Sequence, residues 1–111
     1  MVTFEYLPEF ERRAKALAKK YRSFAADYTK FLDELERDPM GGIPLGSGIY
    51  KYRMVIASKG RGKSGGARVI TYNVRREGDE VCITLMSIYD KSEIENVSDA
   101  YLRQLIQQLR R

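Results

Sequence analysis

The sequence predicts an α+β fold: a mostly antiparallel sheet covered by an N-terminal helical hairpin, with a helix at the C-terminus. Three observations predict it. Two stretches of helical periodicity near the N-terminus are joined by only a residue or two, which makes a helical hairpin. Three strand-like runs then follow across residues 49–88, over connections too short for parallel crossovers, so they pair antiparallel. A last helical stretch closes the chain. The order strand, helix, helix, three strands, helix is that of a layered α+β domain. At 111 residues the length fits one domain, residues 1–111.

The elements follow from the residues in order. Val2-Thr3-Phe4-Glu5-Tyr6 alternates and reads as a short strand. Pro8 suits the first position of a helix, where its missing N–H is no loss. Phe10, Ala14, Leu17 and Tyr21 form one apolar face of that helix. Ser23 is placed to cap a second helix, with Phe24, Tyr28, Phe31, Leu32 and Leu35 as its stripe. Asp38-Pro39 ends it, because a residue before proline avoids the helical region. Residues 40–48, with four glycines and a proline, read as a loop. A strand over residues 49–57 puts Tyr50, Tyr52, Met54 and Ile56 on one face and Lys51, Arg53 and Val55 on the other. A glycine-rich basic loop separates it from a strand over residues 67–75. Glu77-Gly78-Asp79 is a turn, giving a hairpin with the apolar strand of residues 81–88. Tyr89-Asp90-Lys91-Ser92-Glu93 is the polar exit. Ser98 caps the last helix, Val97 and Leu102 form its hydrophobic staple, and Leu102, Leu105, Ile106 and Leu109 form its stripe.

Composition removes several functions. No apolar run approaches the length of a transmembrane helix. Residues 1–25 carry Glu5, Glu9 and Glu11 and no apolar signal core, so a secreted protein is not expected. One cysteine, Cys82, allows no internal disulfide and fits a reducing cytoplasm. Within its apolar strand it reads as a buried thiol rather than a nucleophile. With no histidine, neither a Cys-His nor a Ser-His-Asp nucleophile pair can be assembled, nor a His-based zinc site. An enzyme here works with Lys, Arg, Tyr, Asp or Glu.

Charge is unevenly placed. Eight of the 20 basic residues and none of the 15 acidic ones fall between Pro39 and Arg76. The eight are Lys51, Arg53, Lys59, Arg61, Lys63, Arg68, Arg75 and Arg76. That span is suited to meet an anion. Gly62-Lys63-Ser64 suggests a nucleotide-binding P-loop, but Ala57 stands where the motif needs glycine and a strand follows instead of a helix. The loop cations Lys59, Arg61 and Lys63 instead suit nucleic-acid backbone, where basic side chains release counterions. The plainer reading is a solvated hairpin tip. Lys51 and Arg53 leave one strand on the same face, and Arg68 opens the next strand across the hairpin. Their plainer reading is a sheet edge protected by charge. Like charges crowded together are costly unless an anion is bound, and such crowding favours a neutral, proton-accepting lysine. Arginine stays charged and grips phosphate with two N–H groups. Tyr89 and Lys91 stand where a strand ends, a usual place for functional side chains, against the alternative of an ordinary turn. The tyrosine-rich strand face reads as core rather than as a stacking platform.

These residues carry a resemblance. Lys51-Tyr52-Arg53, then Lys63-Ser64-Gly65-Gly66-Ala67-Arg68-Val69-Ile70, then Ile88-Tyr89-Asp90-Lys91-Ser92-Glu93 resemble the RelE/HigB toxins of bacterial type II toxin–antitoxin modules. Within the RelE/ParE superfamily, the similarity is to the branch with a KSGGARVI loop, and it covers roughly residues 8–109. The resemblance implies a RelE-like fold and a small cytoplasmic endoribonuclease, free of metal and cofactor, that cuts mRNA at the ribosome. It implies a cognate antitoxin as a partner and no membrane. By position, Lys51 and Arg53 match a basic pair, one of which acts as general base on the ribose 2′-hydroxyl. Lys51 is the better base, since arginine holds its proton. Arg68 matches the arginine that stabilises the transition state, and Lys91 a basic residue after the last strand that helps charge stabilisation or leaving-group protonation. Val97 stands where some members carry a tyrosine, and Tyr89 is the residue that can substitute. Two other readings stay open: a toxin of this fold that binds DNA gyrase without cutting, and a non-catalytic RNA- or ribosome-binding module.

Overall fold

The computed structural model describes residues 1–60, 62 and 65–109. The first strand, β1 (Val2–Tyr6), leads through Leu7 into α1 (Pro8–Lys20), with Pro8 at the helix start. Glu9 and Glu11 stand in its first turn and Lys19 and Lys20 in its last, as the helix dipole favours. After a short turn α2 (Phe24–Arg37) begins. Then come β2 (Ile43–Gly46), β3 (Ile49–Met54), a 3-10 turn (Ala57–Lys59), β4 (Ala67–Arg75), β5 (Val81–Asp90) and α3 (Asp99–Leu109). The architecture is α+β, with one five-stranded sheet in the order β1-β5-β4-β3-β2. All pairs are antiparallel except β1 with β5.

The helical stripes go where their periodicity sends them. Phe10, Leu17, Phe24, Phe31 and Leu35 from the hairpin pack with Tyr52, Met54, Ile56, Val69, Ile83, Leu85 and Ile88 on one face of the sheet. Burying a phenylalanine or leucine side chain this way stabilises by about 1.5–3 kcal/mol. A second cluster forms on the opposite face. There Leu105 of α3 meets Ile49, Ile70, Met86 and Tyr89, with Val97, Leu102, Ile106 and Leu109 packed against them. Ser98 Oγ accepts the Tyr101 N–H at 3.1 Å and caps α3. Cys82 is buried.

Several local expectations need correction. Residues 40–48 are not all loop: Ile43–Gly46 form an exposed edge strand on β3, and Tyr52 Oη donates to the Pro39 carbonyl beneath it at 2.8 Å. The strand begun at Ile49 ends at Met54 rather than residue 57, because the chain turns at Ala57. The last strand runs through Tyr89 and Asp90, which are buried rather than a polar exit. Ser23 makes no side-chain cap on α2; its hydroxyl is used elsewhere. On the face opposite the hairpin, α3 covers part of the sheet.

Gly66 opens the way into β4. A Cβ there would lie 2.1 Å from the Met54 carbonyl oxygen and 3.1 Å from the Ile56 nitrogen, both backbone atoms that cannot swing aside. Gly66→Ala is therefore expected to destabilise the fold by about 1–3 kcal/mol through overpacking, measured as a lower urea midpoint. An unchanged midpoint would show that the β3–β4 hairpin base is not this tight.

Candidate functional site: a cross-strand row of basic residues

Register decides which side chains meet. Arg53 of β3 lies directly opposite Arg68 of β4, and Arg68 lies directly opposite Tyr89 of β5. Residues directly opposite in a ladder share a face, so these three form a row across three strands. Lys51 pairs with Ile70, two residues along, and shares that face. Arg68 is the diagonal neighbour of Lys51 across the pair, within reach of a long side chain. The structure thus brings Lys51, Arg53, Arg68 and Tyr89 to one side of the sheet. That side also carries α3, which sits toward Ile49, Ile70 and Met86. Arg53 and Arg68 stand near the loop end of β3 and β4, while Tyr89, the third member of the row, packs in the cluster with α3.

The four differ in environment. Arg53 is exposed and Lys51 half-buried, and among the described residues neither has an ion pair. Arg68 is buried, and its guanidinium donates to the Ala67 carbonyl at 3.2 Å. Burial first, and then the neighbouring Arg53 charge, push the Arg68 pKa down, with Tyr89 opposing. Both causes mean that its positive charge is costly as it stands and would gain from a nearby anion. Tyr89 is 3% exposed, and its hydroxyl has no hydrogen-bond partner among the described residues. Burial raises its pKa, against the pull of Arg68, so the hydroxyl keeps its proton.

Acids come closer than the sequence suggested. A cleft of about 380 Å³ at the outer edge of β3 is bordered by Lys51, Tyr52 and Arg53 and, from α2, by Glu34 and Asp38. A second hollow, of about 280 Å³, lies behind Tyr89 and is lined by Arg13, Asn96, Val97 and Tyr101. Tyr89 is thus a wall between the basic row and that hollow.

The remaining sequence candidates fall elsewhere. Lys91 lies just past the row; its backbone N–H donates to the Gly66 carbonyl at 3.1 Å and its ammonium to the Glu95 carbonyl at 3.0 Å. Lys59 is not a loop-tip cation. Its ammonium is 2.6 Å from Asp90 Oδ1, with the two side chains 7% and 1% exposed. Its charge is therefore cancelled inside the fold. Arg61 and Lys63 lie outside the described residues.

Sequence reasoning missed Asp90. Its carboxylate accepts from Lys59, from Ser92 N–H at 2.9 Å, from Ser92 Oγ at 2.7 Å and from the Tyr21 hydroxyl. Burial would raise its pKa, but the hydrogen bonds from Lys59, Ser92 and Tyr21 outweigh burial and hold it well below the usual carboxylate range. One signal was available: an aspartate two residues before a serine commonly accepts that residue's backbone N–H. Glu9 was missed too. It receives Tyr101 Oη at 2.6 Å, Arg13 Nε at 2.8 Å and Arg12 at 2.6 Å, joining α1 to α3. Against burial, these bonds bring its pKa from 4.5 down to about 2.

Among the described residues, no group of three or more His, Cys, Asp or Glu could hold a metal ion. Among them, too, no helix is long and apolar enough to cross a membrane. Comparison with known proteins finds no matching family model and no matching curated protein.

Glu9 and Asp90 both have folded pKa values below their unfolded ones. Their contribution is complete above the unfolded values, 4.5 and 3.8, and is lost as pH falls through the folded ones. Glu9→Gln is therefore expected to lose less melting temperature than wild type between pH 4.5 and about 2. Thermal melts across that range check it; parallel curves would remove Glu9 as a source of acid lability.

Proposed function

We propose that the protein is a metal-independent endoribonuclease of the RelE/HigB toxin kind, cutting single-stranded mRNA by attack of a ribose 2′-hydroxyl on the adjacent phosphodiester. The observation that carries this reading is the Arg53–Arg68–Tyr89 row with Lys51 on the same face. It is a concentration of positive charge, part of it desolvated, beside a protonated tyrosine. Cations held in place before the reaction, and aimed at negative charge as it develops, lower the barrier without having to reorganise.

In this mechanism Lys51 takes the proton of the 2′-hydroxyl, because Arg53 and Arg68 hold theirs. The 2′-oxygen bonds to phosphorus and the bond to the 5′-oxygen breaks, leaving a 2′,3′-cyclic phosphate and a 5′-hydroxyl. Arg68 and Arg53 grip the phosphoryl oxygens as charge builds. The leaving 5′-oxygen takes its proton from Lys91 or from Tyr89, whose hydroxyl is buried. Of the loop cations, Arg61 and Lys63 are the ones proposed to hold the RNA backbone, since Lys59 is taken by Asp90. The ribosome as the place of cutting, a cognate antitoxin as neutralising partner and a cytoplasmic location belong to the same proposal.

Primer extension on a translated mRNA, with and without ribosomes, tests it. Wild type is expected to cut, and Arg68→Ala to cut about 10²–10³-fold more slowly, as for loss of one transition-state donor. Because Arg68 is buried, its melting temperature is measured alongside, and the exposed Arg53→Ala provides a second variant. A wild type that arrests growth yet makes no cuts in either condition would falsify the nuclease reading and favour a toxin that acts by binding alone.

A further inference from the structure

The helical hairpin does more than cover the sheet. Its turn reaches the base of the basic loop through several polar links. Ser23 Oγ accepts the Ser58 N–H at 2.9 Å and meets Ser58 Oγ at 2.9 Å. Asp27, buried in the first turn of α2, accepts the Ala57 N–H at 3.0 Å and Ser23 Oγ at 2.6 Å. Tyr21 donates its hydroxyl to Asp90. Two ammonium groups lie near its ring, Lys20 at 5.4 Å and Lys59 at 5.5 Å from the centroid. Lys20 goes on to Glu93 at 2.6 Å. Asp90 joins the pieces, since its Oδ1 takes both Lys59 at the loop base and Ser92 in the turn that carries Lys91.

We infer that the α1–α2 turn moors the two cation-bearing segments beside the basic row, and that Tyr21, Ser23, Asp27 and Asp90 are positioning residues for the RNA-binding loop. The inference rests on the nuclease reading for what the loop does, and on geometry alone for what holds it. The loop's start is otherwise weakly built. It is a single 3-10 turn closed by Gly60 in the left-handed region at φ 70°, and nothing lies within 4 Å of where a Gly60 or Gly62 Cβ would be. Its far end is fixed at Gly66, through the Lys91 N–H and the tight approach to Met54. Among the described residues, these polar links are what tie the loop's start to the helical hairpin. The polar links also explain why Asp27 and Asp90, two acids, are buried in a region otherwise rich in cations. Asp90 neutralises Lys59, and Asp27 accepts the Ala57 N–H, both at the loop base.

The test uses the whole protein with Asp90→Asn and Tyr21→Phe, the second keeping the ring and removing only the hydroxyl. Amide hydrogen exchange is read residue by residue, and cleavage of a short single-stranded RNA gives kcat and KM. The amides of Ala57, Ser58, Lys59 and Gly60 are expected to exchange about tenfold faster or more, with β4 and β5 unchanged, as for a local opening. The KM is expected to rise about tenfold as the loop that holds the RNA loosens, and kcat to fall about tenfold as the turn carrying Lys91 is displaced. Lys59→Gln combined with Asp90→Asn, which replaces the ion pair by two amides, is expected to recover part of that kcat. Wild-type exchange at these four amides in both single variants overturns the mooring. So does a loss of kcat matched by faster exchange throughout β4 and β5, which is general destabilisation. A wild type that cuts no RNA, while the four amides still loosen in the variants, overturns the nuclease reading and leaves the mooring standing.

Discussion

A buried carboxylate, Asp90, is the constraint on which the functional end of this molecule depends. Taking an anion out of water costs several kcal/mol unless donors replace the lost solvent. Here the ammonium of Lys59, the backbone and hydroxyl of Ser92 and the hydroxyl of Tyr21 do so. Those donors come from the loop base, the turn after β5 and the end of α1. Satisfying one charge therefore fixes three segments that are remote in sequence. Removing Lys59 would leave the Asp90 carboxylate buried without its nearest cation, a loss of the kind that costs about 3–5 kcal/mol.

The second constraint is register. A shift of one residue between β3 and β4 would send Arg53 and Arg68 to opposite faces. The apolar face sets the register, because Tyr52, Met54, Ala67 and Val69 all belong under the helical hairpin. Asn73 reinforces it, donating to Tyr52 Oη at 2.8 Å and to the Pro39 carbonyl at 3.1 Å. The basic row is thus a by-product of core packing on the reverse side of the same strands. In β5 the register shifts opposite Ile70 and Thr71. Beyond the shift, Ile88 pairs with Val69 under the hairpin and Tyr89 with Arg68 on the reverse face.

Periodicity made the fold legible. Phe10, Leu17, Phe31 and Leu35 are core residues because their spacing admits nothing else once the helices pack. Alternation likewise placed Lys51 and Arg53 together and away from Tyr52 and Met54. What the sequence hid was pairing over long separations. Lys59 looks like a loop cation because its partner, Asp90, is 31 positions away. Ser23 looks like a cap because Ser58 and Ala57, which draw it and Asp27 toward the loop, are not its neighbours in the chain. The strand of residues 43–46 was hidden for another reason. Its glycine and proline suit a turn, and only an edge position, where one side of the ladder is left unpaired, tolerates them.

Counting charge along the chain therefore overstated the anion-binding capacity of the region and misplaced its centre. After folding, Lys59 is cancelled by Asp90, while Glu34 and Asp38 from α2 border the cleft beside Lys51 and Arg53. The positive charge that matters is smaller but better placed. Arg68 is held where water cannot screen it well and where Arg53 raises the cost of its charge. Burial and the Arg53 charge are the two causes that lower its pKa, against Tyr89. The hairpin lies on one face and α3 on part of the other, and Arg53 and Arg68 stand at the loop end of β3 and β4. The mooring to Asp90 and the α1–α2 turn fixes the loop at that same end.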